Sequence, residues 1–286
     1  MYAMSVNWVG IPFWGSDKEK YMKMKRLITL VLALCMVLTL CACGKTGGAY
    51  TMVETLNEGQ YAIGFRTDDP LADWVEAALK VLAANGKIAE LEVRWFNDTN
   101  ITDFPKDVNA LAKMGEIPQR TLIMGLDPHN FPMSYESNGV YMGFDVELCR
   151  EVCNLLGWQL KFCEVEDESK AFVHLYSGNA DVIWGGMLLN QKETTFSVRC
   201  PYMDGGNVLV VLAGSGLNSV RKLAGKTIGM NEAPRYAEAL AQSELKQTAG
   251  TIVIIPDGNN VVFDNLYRGE YDAIVTDYAT AKYYMR

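Results

Sequence analysis

From Tyr61 to the C-terminus, short apolar runs bounded by turn residues alternate with longer stretches that repeat apolar residues at helical spacing. Such alternation predicts an α/β fold, with parallel sheets covered on both faces and a ligand site at the carboxyl ends of the strands. Tyr61 to Phe65 reads as a strand, and Pro70 to Ala84 carries Leu71, Trp74, Val75, Ala78, Leu79 and Leu82 on one helical face before a turn at Asn85 and Gly86. A second helix runs to Trp95. Residues 97–120 lose periodicity and read as a linker, with a helical turn or two between Val108 and Met114. Beyond it come the strand Thr121 to Leu126, a hairpin strand near Val140 to Phe144, and the helix Asp145 to Leu156. Strands are then expected at Trp158 to Val165, Ala180 to Trp184, Asn207 to Leu212, Thr227 to Met230, Thr251 to Ile255 and Ala273 to Val275. The intervening helices are Lys170 to Ser177, Ser219 to Leu223, Arg235 to Leu245, Asn260 to Arg268 and Ala279 to Met285.

The N-terminus is a targeting segment. Lys23, Lys25 and Arg26 precede an apolar run from Leu27 to Ala42, the layout of a secretory signal peptide. The run is shorter than the roughly 20 apolar residues that span a bilayer. It ends in Leu40, Cys41, Ala42 and Cys43, which resembles the lipobox of bacterial lipoproteins and makes Cys43 the expected lipidation site. An ordinary signal peptide with incidental cysteines is the alternative. Residues 1–21 fit no targeting pattern and read as lying upstream of the natural start, at Met22 or Met24.

Composition narrows the partners. The chain has 286 residues, 49% hydrophobic and 21% charged, enough for a sizeable core in one domain or two small ones. A formal charge of -8 excludes a basic nucleic-acid footprint and a polybasic membrane patch. Outside the leader, Cys149, Cys153, Cys163 and Cys200 remain. Cys149 and Cys153 lie four apart on one helical face with no histidine beside them, which fits buried thiols or a disulfide and no zinc pattern. No cofactor and no metal are expected.

Six motifs carry a resemblance: Met124-Gly-Leu-Asp-Pro-His-Asn-Phe-Pro-Met-Ser-Tyr135, Gly143-Phe-Asp-Val-Glu-Leu148, Ser177-Gly-Asn-Ala-Asp-Val-Ile-Trp-Gly-Gly-Met187, Pro201-Tyr202, Leu223-Ala-Gly-Lys-Thr-Ile-Gly229 and Gly269-Glu-Tyr-Asp-Ala-Ile-Val-Thr-Asp277. The chain thereby resembles the family 3 extracellular solute-binding proteins, which feed polar amino acids to ABC transporters. The resemblance implies a two-lobed type II periplasmic-binding-protein fold. In that family the last motif is followed by a crossing strand and two helices ending in Trp-Phe. Here those pieces stand at the front, as Tyr50 to Val53, Gln60-Tyr-Ala-Ile-Gly-Phe-Arg66, the helix from Pro70, and Trp95-Phe96. The order is that of a circular permutant, with lobe one over 60–210 and lobe two combining 49–59 with 211–286. Residues 97–120 would join the old termini, and extended they reach about 80 Å. A gene fragment or a swapped dimer is the rival reading. Hinge strands are expected near Gln60 to Phe65 and Asn207 to Val211.

The resemblance also implies the site. Asp277 matches the position that accepts a ligand ammonium, and it equally suits the N-cap of the following helix. Asp127, after the first lobe-one strand, is placed to contact a ligand or to cap its loop. Phe131, Tyr135 and Trp184 are candidate aromatic walls, although any one aromatic is more often core, and Gly185 and Gly186 mark a pocket edge. The carboxylate side departs from the family: after Met187 the chain reads Leu188-Leu-Asn-Gln-Lys-Glu-Thr194, without the expected arginine. Lys192 is one substitute, with less directional binding than a guanidinium fork. Arg235 of Asn231-Glu-Ala-Pro-Arg235 is another, supplied by the opposite lobe near a helix N-terminus.

These readings converge on a lipid-anchored, extracellular, monomeric binding protein that captures a small polar ligand, an amino acid or derivative, for an ABC permease. It is not expected to be an enzyme. A sensor docking to a membrane receptor and a dehydratase-like enzyme are the alternatives. His129 and His174 have no catalytic or metal spacing, and neither phosphate loop nor nucleophile elbow occurs.

Overall fold

The structure is a computed structural model that describes residues 49–165, 168–188, 195–232, 234–256 and 258–286. Within this unit lie two five-stranded sheets and a small hairpin sheet. The first sheet has the order β7-β3-β8-β2-β9, formed by Gln159–Glu164, Thr121–Leu126, Val182–Leu188, Gly59–Phe65 and Ser197–Gly205. The second has the order β1-β10-β13-β11-β12, formed by Tyr50–Thr55, Asn207–Leu212, Ala273–Asp277, Thr227–Asn231 and Thr251–Ile255. The hairpin sheet joins β4 (His129–Asn130), β5 (Ser134–Ser137) and β6 (Val140–Met142).

The sheets are mixed, which corrects the expectation of parallel ones. Strand β3 runs parallel to β7 and β8, and β11 runs parallel to β12 and β13. Strand β2, however, is antiparallel to both β8 and β9, and β10 is antiparallel to both β1 and β13. The short β1 to β2 and β9 to β10 connections each carry the chain from one sheet to the other.

Those connections fall at Leu56 to Glu58 and at Gly206. They adjoin β2 and β10, the strands near which hinges are expected, each of which lies wholly within one sheet. At Gly206, φ is +108° and an added Cβ would stand 2.0 Å from the Asn57 carbonyl oxygen, so the two crossings touch where only glycine fits.

Helix α1 (Leu71–Ala84), α2 (Lys87–Phe96) and α3 (Phe144–Leu156) bury their apolar stripes in one core with β2, β3 and β8. Strand β10 shows why an unbroken apolar run forms a central strand. Leu209 and Val211 face a cluster holding Leu240 of α5 (Pro234–Gln242), while Val208 and Val210 face Phe263 and Leu266 of α7 (Asn259–Arg268). Each such burial contributes about 1.5–3 kcal/mol. The remaining helices are α4 (Ala171–Tyr176), α6 (Leu245–Thr248) and α8 (Tyr278–Met285).

Residues 97–120 are an ordered strap rather than free chain. Buried Glu92 accepts three hydrogen bonds on Oε1, from the Ile101 amide at 3.1 Å, the Thr102 amide at 2.5 Å and Thr102 Oγ1 at 2.7 Å. Phe104 stacks on Tyr202 with centroids 5.7 Å apart, and Trp158 donates its indole N–H to the Pro118 carbonyl at 2.7 Å. Cys149, Cys153, Cys163 and Cys200 are all free thiols, so the disulfide alternative falls away. Burial pushes the Cys149 thiol well above the usual range. Cys43 and the leader lie outside the described residues, as does Lys192.

Candidate functional site

Asp277 ends β13, the strand between β10 and β11, and is buried with 3% exposure. Its Oδ1 accepts the Thr280 amide at 2.8 Å, which caps α8 as the Asp-x-x-Thr spacing allows. The same oxygen accepts Tyr61 Oη at 3.3 Å. Its Oδ2 accepts Thr280 Oγ1 at 2.7 Å and Tyr236 Oη at 2.9 Å. Tyr61 belongs to β2 of the first sheet, so this carboxylate ties the two sheets together. Burial first, and the Asp277 charge second, push the Tyr61 phenol well above its usual range.

Arg235 stands in the first turn of α5, and its carbonyl accepts Asn207 Nδ2 at 3.2 Å. Its guanidinium lies over the Tyr236 ring at 4.9 Å, with Nη2 donating to Tyr236 Oη at 3.3 Å. Tyr236 and then Asp277 hold Arg235 above the ordinary arginine range despite its partial desolvation. Nε is enclosed and has no hydrogen-bond partner. Asn231, at the end of β11, donates Nδ2 to Asn259 Oδ1 at 3.0 Å, leaving its own Oδ1 enclosed and unpartnered.

The candidates from the first sheet and the hairpin sheet gather less closely around this cluster. Asp127 accepts the His129 amide at 2.8 Å, so it caps its loop. Phe131 packs 4.6 Å from Tyr283 of α8 and 5.1 Å from Tyr135, while its carbonyl lies 2.9 Å from Thr280 Oγ1, whose single proton goes to Asp277. The Phe131 loop thus rests on the helix that Asp277 starts. Tyr135 stands edge-on to Trp95 at 6.3 Å. Trp184 is 0% exposed within the first-sheet core, which matches the core alternative of its two readings. A β8 position flanked by β3 and β2 has core on its inner face. Gly185 has φ of +116°, and a Cβ there would stand 2.9 Å from Ser134 Oγ and 3.5 Å from Asp145 Oδ2. Gly186 and Leu188 continue β8.

Three groups were not legible beforehand. Tyr61 and Tyr236 look like ordinary core tyrosines in sequence, and Thr280 was signalled only by its distance from Asp277. Asp145 is a fourth: it is 0% exposed, Tyr202 Oη donates to its Oδ1 at 2.7 Å, and Oδ2 has no partner. Burial pushes its carboxyl up to about 8, against the opposing bond from Tyr202. A cavity of about 630 Å³ opens beside the crossings, between Glu58, Gln60, Asp204 and Tyr278. Among the described residues, none of the candidate ligand-binding residues lines it.

The family model for bacterial extracellular solute-binding proteins, family 3, matches residues 122–280. The chain belongs to this family. Among similar proteins, the arginine-binding extracellular protein ArtP of Bacillus subtilis (strain 168) is 28% identical over 118 residues, 40% of this chain and 45% of that protein. The histidine-binding periplasmic protein of Escherichia coli (strain K12) is 27% identical over 179 residues, 60% of this chain and 66% of that protein. The chain thus spans between about half and two-thirds of the curated relatives it matches. A solved polar amino acid ABC uptake transporter substrate binding protein from Streptococcus thermophilus is 28% identical, with a TM-score of 0.44 over 55% of this chain and 61% of that one. The family 3 model ends at residue 280, three beyond Asp277.

Proposed function

We propose that this family 3 chain is an extracellular receptor, lipid-anchored through Cys43, that captures a small polar solute of the amino-acid class between its two sheets and passes it to an ABC permease. The observation that carries the reading is the Arg235, Tyr236, Asp277 and Tyr61 cluster, where charge from the second sheet meets a hydroxyl of the first. A ligand touching both lobes favours their closure, and two short crossings give such closure its axis. Relatives named for binding arginine and histidine support the solute class. Among the described residues no helix is long and apolar enough to cross a membrane.

We read the chain order as a circular permutation of the family's, in one monomer. Strands β1 and β2 supply an edge of the second sheet and an interior strand of the first, and an ordered strap runs from α2 to β3.

Thermal unfolding of the full chain against the common amino acids, amines and organic acids tests this reading, with the mass in solution measured alongside. A solute at a hundredfold excess over Kd adds about 2.7 kcal/mol to the native state. A monomer raised several degrees by one solute class is the expected result, and a chain that no solute stabilises would overturn it.

A further inference from the structure

A half-buried guanidinium whose Nε is shut off from water calls for an acceptor, because a polar N–H removed from water without a partner is costly. Arg235 has an enclosed Nε with no partner, and its one described side-chain bond, from Nη2, goes to a neutral phenol. Among the described residues no carboxylate stands within ion-pair distance of it. Asp277 is in the opposite condition. A carboxylate offers about four lone-pair positions, and Tyr61, Tyr236, the Thr280 amide and the Thr280 hydroxyl occupy four on Asp277. An ammonium entering there would displace a tyrosine hydroxyl and leave it buried without an acceptor.

We propose that the site recognises its solute by a carboxylate held on Arg235, that an α-ammonium is dispensable, and that Asp277 is a positioning residue acting through Tyr236. This rests on the solute-binding reading and narrows its ligand to carboxylates. Tyr236 Oη accepts from Arg235 while donating to Asp277, so one edge of the guanidinium is fixed and the remaining N–H groups keep the planar fork that matches a carboxylate.

The test is calorimetric titration of the full chain with sets sharing a side chain: alanine, lactate and ethylamine; phenylalanine, 3-phenyllactate and 2-phenylethylamine; arginine, its 2-hydroxy analogue and agmatine. In at least one set the hydroxy acid binds within about tenfold of the amino acid and the amine at least about a hundredfold more weakly. Arg235→Gln loses acid binding at an unchanged melting temperature, and Arg235→Lys recovers part of it. Asp277→Asn lowers the acid-to-amine affinity ratio at least about tenfold, which a purely structural role would leave alone. An amino acid that binds while its hydroxy acid does not, or an amine that binds as well as the acid, overturns the proposal and leaves the solute-binding reading standing. Binding by no member of any set overturns both.

Discussion

Tyr61 Oη donates to Asp277 Oδ1 at 3.3 Å across 216 positions of sequence, joining a strand of the first sheet to the end of a strand in the second. Asp277 keeps its other three donors if that hydroxyl is removed. Tyr61→Phe should therefore cost only about 1 kcal/mol of stability, the net worth of one hydrogen bond. It should also loosen the contact between the sheets. Urea unfolding measures the first effect, and amide exchange at Thr280 measures the second.

Asp145 gives the chain a pH signature. Its carboxyl titrates near 8 in the folded state, against about 3.9 when unfolded. Between those values the native state keeps a proton that the unfolded chain has lost, so stability falls as pH rises, by up to about 1.4 kcal/mol per unit. Below both values the contribution is level, and above about 8 the loss is complete. Asp145→Asn removes the titration. Urea midpoints at pH 5 and pH 8 should converge in the variant and differ in the parent.

Glu92 holds the strap by one oxygen that takes three donors. Glu92→Ala leaves two amides and a hydroxyl without their acceptor, and a buried unsatisfied group costs about 1–3 kcal/mol. The expected outcome is a lower melting temperature together with faster proteolysis within residues 97–120. Unchanged cleavage in that segment would show that Phe104 and Trp158 hold the strap without it.

Gly229 lies on β11 with its Cα facing the Tyr271 ring, and an added Cβ would stand 2.2 Å from Cδ2 of that ring. Gly229→Ala must push the ring out of the α7 cluster or bend β11, at about 1–3 kcal/mol as overpacking does. Gly157→Ala is the comparison: at φ of +68° it meets no atom within 4 Å, so only its backbone conformation is strained.

Much of this fold was readable in order. The strand Thr121–Leu126 and the helix Phe144–Leu156 follow from periodicity, and the unbroken apolar run Asn207–Leu212 became a strand buried on both faces. Strand β9 escaped notice because Ser197–Gly205 contains Arg, Cys, Pro and Asp, and its role is fixed by pairing with β2 rather than by its own pattern. The sheets' mixed direction was equally hidden, since it lies in pairings between strands far apart in sequence, such as β2 with β8 and β9. Within the site, Asp277 and Arg235 stood out as charges in apolar surroundings. Tyr61 and Tyr236 did not, because a tyrosine that anchors a carboxylate and one that fills a core look alike until the distant partner is placed.

The central claim is capture of a solute between two lobes that close on it. Small-angle scattering of the monomeric chain, with and without a saturating solute that raises its melting temperature, tests this most directly. The account predicts a smaller radius of gyration on binding, abolished in Arg235→Gln. A stabilising solute that leaves the scattering profile unchanged would contradict capture by closure.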